Sequence, residues 1–142
     1  MAEGFVKAVA KMSRELGLTE VELSEDEVRI TVLPHETAPT YVFVRACGEM
    51  HGKEVLEFSS DKLQLPDDDA HKMPLLILAL QRNADVIFGH WGLDETNGVS
   101  TLRVFHSQIT ETMDPPELQF AVQAVANEYA TLASAFAELF QP

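Results

Sequence analysis

Residues 85–109 read DVIFGHWGLDETNGVSTLRVFHSQI, and this stretch decides the fold that the sequence predicts. Asn97 and Gly98 both tolerate the positive φ angles that a type I′ turn requires. The stretch therefore predicts a β-hairpin, with one strand over 85–93 and the other over 100–109. These two strands are antiparallel neighbours, so the sheet that contains them is at least partly antiparallel.

The two-residue turn also fixes which side chains share a face of the hairpin. In this register Trp91 lies opposite Val104. His90 lies opposite Phe105 and shares its face with Phe88. A lone tryptophan is consistent with a core position or with an anchor in a protein interface. Phe88, Trp91 and Phe105 are the candidate partner-binding residues.

A meander of three further strands is predicted upstream of the hairpin. These strands cover residues 28–33, 41–47 and 55–59, with a loop between Pro34 and Pro39 and a turn over 48–52. The connections are too short to hold crossover helices, so neighbouring strands are expected to run antiparallel.

Helical periodicity and capping residues predict three helices. The first covers residues 2–16, and the last is a long segment that begins at Asp114, whose side chain is a natural N-cap. The regular part of the middle helix is expected over 73–83. Pro74 fits only the first turn of a helix, so the middle helix either starts just before this proline or is kinked there.

These elements follow one another in the order α-β-β-β-α-β-β-α over residues 1–142, and no long linker or repeat divides them. The sequence therefore predicts a single domain of the α+β class. In this fold, helices pack on one face of a single antiparallel five-stranded sheet.

Composition limits the classes of partner. The chain has 142 residues, 46% of them apolar, and a formal net charge of −13. That charge would repel a nucleic-acid backbone or an anionic membrane, so we expect neither as a direct partner. The longest apolar run, over 75–80, is far shorter than a membrane span, and no leader pattern marks the chain for secretion. We therefore expect a cytoplasmic protein.

The middle helix carries more apolar side chains than one small domain readily buries. A surface helix normally buries a single stripe, whereas this one is apolar on all sides. Packing one side on the sheet would expose large aliphatic groups on the other, which favours a homodimer formed through that side. Burial under the first or last helix of the same chain is the alternative. The candidate dimer-interface residues are Leu75, Leu76, Ile77, Leu78 and Leu80.

Residues that could carry catalysis or bind metals lack the spacing that such sites need. The five histidines form no HxH, HxxxH or HExxH pattern, and the hairpin register puts His90 and His106 on opposite faces. Cys47 is the only cysteine, and nothing in the sequence supplies a base to activate it. We expect no catalytic residue, cofactor or metal, and interpret the chain as a non-enzyme.

Negative charge dominates the C-terminal part of the chain. After Arg103 the sequence has no lysine or arginine. An acidic surface beside exposed apolar groups favours a basic or amphipathic polypeptide as partner and speeds its encounter. The acidic residues of this part are Glu111, Asp114, Glu117, Glu128 and Glu138.

The order of elements and the hairpin resemble the type III secretion chaperone-like fold, especially its YbjN-like group of bacterial proteins. The stretches that carry the resemblance are FGHWGLD (88–94), LRV (102–104) and DPPEL (114–118). Pro74 departs from the family pattern, and the middle helix lacks the charged positions that usually interrupt it. The resemblance implies a non-catalytic homodimer that binds other proteins as a secretion chaperone or as a regulator.

Two functions of different classes remain. The first is a dimeric protein-binding module, chaperone-like or regulatory. It would take another polypeptide on an exposed sheet face, on a free edge strand or in an apolar groove. The alternative is a small-molecule-binding or enzymatic domain with a closed pocket between the sheet and the C-terminal helix.

Overall fold

The computed structural model describes residues 3–33 and 39–139, and within them it has three helices and seven strands. The helices are α1 (Glu3–Glu15), α2 (Asp69–Asp85) and α3 (Pro115–Leu139). The strands are β1 (Thr19–Ser24), β2 (Glu27–Val32), β3 (Thr40–Met50), β4 (Lys53–Ser60), β5 (Leu63–Gln64), β6 (His90–Thr96) and β7 (Val99–Ile109). Most of the loop predicted between Pro34 and Pro39 lies outside the described residues.

The α+β class and the antiparallel sheet are confirmed, but the strand count and the element order are not. The sheet has seven strands rather than five, and the observed order is α-β-β-β-β-β-α-β-β-α. Strands β1, β2, β3 and β4 pair in sequence. Strand β7 pairs with β4 and β5 along one edge and with β6 along the other. Strands β1 and β6 therefore form the two outer edges.

The two strands absent from the prediction bury almost nothing. In β1, Val21 and Leu23 alternate with Glu20 and Glu22, and every residue is exposed or only partly buried. Its pairing with β2 is made by the backbone, which leaves no strong hydrophobic pattern in the sequence. Strand β5 has only two residues and continues the line of β4 along β7.

The predicted hairpin is confirmed in its turn and register. Both residues of the Asn97–Gly98 turn have positive φ angles, 53° and 78°. Trp91 pairs with Val104, and His90 pairs with Phe105. A type I′ turn matches the twist of its flanking strands, which is why two residues suffice to set this register.

Several strand boundaries differ from the prediction. The strand expected over 85–93 begins only at His90, because α2 continues to Asp85 and Gly89, with a φ of 81°, redirects the chain. Strand β3 extends to Met50, so the turn expected over 48–52 shrinks to two residues. Long strands continue past the buried positions that made them recognisable in the sequence.

The start of the last helix is confirmed by its capping geometry. The backbone N–H of Glu117 donates to Asp114 Oδ1 at 2.9 Å, and the N–H of Asp114 donates to Glu117 Oε1 at 3.3 Å. This reciprocal pair satisfies two N–H groups that a helix start leaves without intrahelical acceptors.

The middle helix starts earlier than predicted. The carboxylate of Asp68 accepts a hydrogen bond from the His71 N–H at 3.1 Å and caps a helix that begins at Asp69. Pro74 consequently lies inside α2. Proline has no N–H to donate, so the helix tolerates one missing backbone hydrogen bond at this point.

No described helix is long and apolar enough to cross a membrane. One face of the sheet shares a hydrophobic core with all three helices. The core side chains include Val28, Ile30, Val42, Val44, Phe58 and Val104 from strands, and Val9, Leu75, Leu118, Val122 and Leu132 from helices. The opposite face, on which Tyr41, Phe43 and Arg45 lie, is exposed or only partly buried at these positions. The fold therefore leaves one open sheet face.

Candidate protein-binding surfaces

A buried carboxylate connects α2, α3 and β6. Glu128 of α3 is only 6% exposed. Arg82 of α2 donates to it from Nε at 2.9 Å and from Nη2 at 2.5 Å. The indole Nε1 of Trp91 in β6 donates to Glu128 Oε2 at 2.8 Å. The hydrogen bonds to Glu128 also raise the pKa of Arg82 above its usual value. A bidentate ion pair of this geometry fixes orientation as well as distance.

The sequence contains a signal for this buried carboxylate that the prediction missed. Leu118, Ala121, Val125 and Leu132 are buried positions of α3, and Glu128 continues their helical spacing. A carboxylate at a core position requires a buried partner. The interpretation of Glu128 as part of an acidic surface is therefore wrong, although the other acidic residues of this part of the chain are exposed or partly exposed.

An asparagine side chain occupies part of the outer edge of β6. The Trp91 N–H donates to Asn83 Oδ1 at 2.6 Å, and Asn83 Nδ2 donates to the Trp91 carbonyl at 3.1 Å. The amide thus mimics the hydrogen bonds of a neighbouring strand. In the register of this hairpin, the backbone groups of Leu93 and Glu95 point toward the same outer edge.

The five apolar residues predicted for a dimer interface lie in three environments. Leu75 is fully buried in the core, so it cannot contact another molecule. Leu76 and Leu78 are partly buried and pack against the core. Ile77 is 50% exposed and Leu80 is 69% exposed. The predicted exposed apolar side chains of α2 are therefore present, and they are mainly Ile77 and Leu80, one turn apart.

A shallow groove of about 240 Å³ lies between α2 and β6. Leu76 and Leu80 line it from the helix and Leu93, 54% exposed, from the strand. Trp91 also lines the groove but is only 5% exposed. Trp91 is therefore a core residue, the first of its two predicted roles.

A second apolar surface surrounds the connection between α2 and β6. Phe88 is 37% exposed, and its ring lies 4.7 Å from the ring of Phe120 and 5.0 Å from that of His106. Ile87 is almost fully exposed beside it. The prediction that Phe88 shares a face with His90 is wrong. Phe88 precedes β6 and does not belong to it, and its ring lies with His106.

Phe105 lies on the open sheet face, away from the helices. Its ring covers Gly92 of β6, where an added Cβ would come within 2.7 Å of the ring. The Arg103 guanidinium lies 5.7 Å from the Phe105 ring and 5.9 Å from the Phe43 ring. Phe88 and Phe105 are thus accessible on two different surfaces, and no described surface unites the three predicted partner-binding residues.

The remaining titratable groups form no metal cluster within residues 3–33 and 39–139. Cys47 is exposed. His90 and His106 lie on opposite faces of the sheet, as the register predicted. Burial against Phe58 and Phe88 lowers the pKa of His106, and the nearby His90 contributes in the same direction.

Two solved structures share this architecture. The chain is similar to one in the HopA1-SchA chaperone-effector complex, with 20% identity, a TM-score of 0.53 and coverage of 97% of this chain and 94% of that one. It is also similar to YbjN from E. coli, with 12% identity, a TM-score of 0.59 and coverage of 98% and 96%. No protein-family model and no curated protein matches the sequence. The likeness confirms the predicted chaperone-like, YbjN-like fold.

We predict that Glu128→Gln destabilises the chain by about 1–3 kcal/mol, because Arg82 and the Trp91 indole lose a charged acceptor. Urea unfolding followed by the fluorescence of Trp91, the only tryptophan, measures this free energy. Glu138→Gln, an exposed carboxylate of the same helix, is the matched control and should change it little. Equal stability of the two variants would contradict a fold-determining role for Glu128.

Stability should fall as pH decreases below the ordinary histidine pKa of about 6.5. Burial lowers the pKa of His106 in the folded chain. As the pH falls, the unfolded chain therefore binds a proton at His106 before the folded chain does, which lowers the free energy of unfolding. The urea midpoint should therefore drop between about pH 7.5 and 5.5. His106→Phe should flatten this dependence, whereas His90→Gln should retain most of it. An unchanged slope in His106→Phe would refute the assignment.

Proposed function

We propose that this chain is a non-catalytic, cytoplasmic protein-binding module, chaperone-like or regulatory, that forms a homodimer and engages another polypeptide. The observation that carries the proposal is the outward apolar surface of α2, where Ile77 and Leu80 are exposed and Leu80 lines a groove with Leu93 of β6. Apolar side chains grouped in this way are typical of a surface that another protein covers. The similar fold in a chaperone-effector complex supports the same class of function.

The homodimer would use the outward stripe of α2. Met73, Ile77 and Leu80 follow helical spacing and are 49%, 50% and 69% exposed. A two-fold axis beside α2 would pair this stripe with its own copy, since an isologous interface brings the same patch together from both chains. Leu76 and Leu78 would border that contact, whereas Leu75 would support it from within the core.

A client polypeptide would then bind at surfaces that the dimer leaves free. The outer edge of β1 offers unpaired backbone groups for strand addition. The patch of Phe88, Phe120 and Ile87 offers apolar contact beside Asp85, an exposed carboxylate that lines the same groove. A basic or amphipathic segment would suit this combination of acidic and apolar groups.

The small-molecule alternative receives little support from the surface. The three larger described grooves, of about 520 to 560 Å³, are more open than enclosed, and the groove of about 240 Å³ is about half open. Ligand sites usually bury most of their ligand in a concave pocket.

We predict that the wild-type chain sediments at about twice the monomer mass at micromolar concentration, and that Leu80→Asp lowers this mass toward the monomer because a charge cannot be buried without a partner. Analytical ultracentrifugation measures the mass, and circular dichroism shows whether the variant is folded. Met50→Asp places the same charge on another exposed apolar residue and should leave the dimer intact. A monomeric wild type would refute the dimer.

We predict that affinity purification of the tagged chain from its native lysate recovers one protein in stoichiometric amount. Phe88→Asp and Phe120→Asp should reduce this recovery at least several-fold, because each places a charge in the apolar patch. Lys7→Asp, on the exposed side of α1, is the control for added negative charge. Absence of a stoichiometric partner under several growth and stress conditions would refute the proposed function.

A further inference from the structure

The open sheet face carries arginines beside carboxylates such as Glu27 and Glu57. Three of the five arginines lie on it, namely Arg29, Arg45 and Arg103. Arg45 is paired with Glu57 at 3.0 Å. Arg29 and Arg103 have no carboxylate within ion-pairing distance among the described residues. Two guanidinium groups on this face are therefore uncompensated by a direct ion pair.

These two guanidinium groups alternate with aromatic rings along the face. Arg29 lies over the Tyr41 ring, 4.3 Å from its centroid, and Arg103 lies between the rings of Phe43 and Phe105. Cation–π contacts of this kind orient a guanidinium plane without using its hydrogen-bond donors. The face thus presents oriented donors next to apolar rings.

Two hydrogen bonds fix the guanidinium group of Arg103. Its Nε donates to the Ser60 carbonyl at 3.0 Å, and its Nη2 donates to Ser59 Oγ at 2.8 Å. Its remaining N–H groups have no acceptor among the described residues. An arginine fixed in this way loses little conformational entropy when it binds a carboxylate.

Asp61, an acidic side chain near both arginines, forms no ion pair with them. Asp61 is close enough for the charges of Arg103 and Arg29 to favour its ionised form, yet burial outweighs them and raises its pKa. It makes no ion pair with either arginine among the described residues. The donors of these two guanidinium groups therefore remain available to a ligand.

We propose that this face binds an acidic segment of a partner polypeptide, with carboxylates on Arg29 and Arg103 and apolar side chains against Tyr41, Phe43 and Phe105. Charge complementarity supports this occupant, since the two uncompensated guanidinium groups of the face match one or two carboxylates. A nucleic acid presents a continuous row of phosphates, which two guanidinium groups cannot neutralise. The inference rests on the proposed protein-binding function and adds the chemistry of the bound segment.

The test uses the full chain and two synthetic peptides that differ only in charge. One alternates Asp with Phe and the other alternates Lys with Phe, and each carries a fluorescent label for anisotropy titration. The acidic peptide should bind the wild-type chain, and Arg29→Gln and Arg103→Gln should each weaken its binding about five- to tenfold. Arg14→Gln, on α1 and away from this face, is the matched control and should leave the affinity unchanged.

Three outcomes would overturn the inference. The first is equal affinity of wild type and both face variants for the acidic peptide. The second is failure of the acidic peptide to bind. The third is binding of a single-stranded oligothymidylate that Arg29→Gln and Arg103→Gln abolish while the peptide is unaffected. Arg29 lies over the Tyr41 ring and makes no ion pair among the described residues, so Arg29→Gln serves if the Arg103 variant does not fold.

The same variants separate this inference from the proposed function. If the native lysate yields a stoichiometric partner that Arg29→Gln and Arg103→Gln retain in full, the protein-binding function stands and the open face is not its site. If no partner is recovered with any variant, the protein-binding function itself fails, whatever the peptides show.

Discussion

The bidentate ion pair between Arg82 and Glu128 is the interaction on which the arrangement of α2 depends. Its carboxylate also accepts from the Trp91 indole, so one buried group joins two helices to an edge strand. Because α2 is apolar on several sides, hydrophobic burial alone does not select which side faces the core. The ion pair makes that selection. Any other orientation of α2 would separate Arg82 from Glu128 and leave a buried charge without a partner, which costs free energy.

Two surfaces of opposite chemistry follow from this arrangement. With Leu75 turned inward, Ile77 and Leu80 face outward on the helical side, and Leu80 lies with Leu93 along the groove between α2 and β6. On the other side of the sheet, alternating arginines and aromatic rings form the open face. A fold with helices on one face of an antiparallel sheet leaves the other face to solvent or to a partner. The homodimer and the client sites that we propose would therefore use separate parts of this small chain.

Local signals in the sequence predicted local structure well. The Asn97–Gly98 turn gave the hairpin register, and Asp114 marked the start of α3, because both depend on neighbouring residues alone. Strand β1 escaped prediction because it is an edge strand without buried side chains. The location of Glu128 in the core depends on partners far away in the sequence. The outward residues of α2 were predicted as a group, but only the structure separates the buried Leu75 from the exposed Leu80.

In the proposed homodimer, the outward side of α2 meets a second copy of the chain. The most direct measurement places a spin label at Gln81→Cys, an exposed position of α2, in a Cys47→Ser background. Helices that pack against each other lie about 8–10 Å apart. Pulsed electron–electron double resonance should therefore give a distance within about 30 Å between the spin labels of the two chains. A label at Met50→Cys should report a different and broader distance. Absence of any intermolecular distance from Gln81→Cys at concentrations where the chain is dimeric would contradict the account.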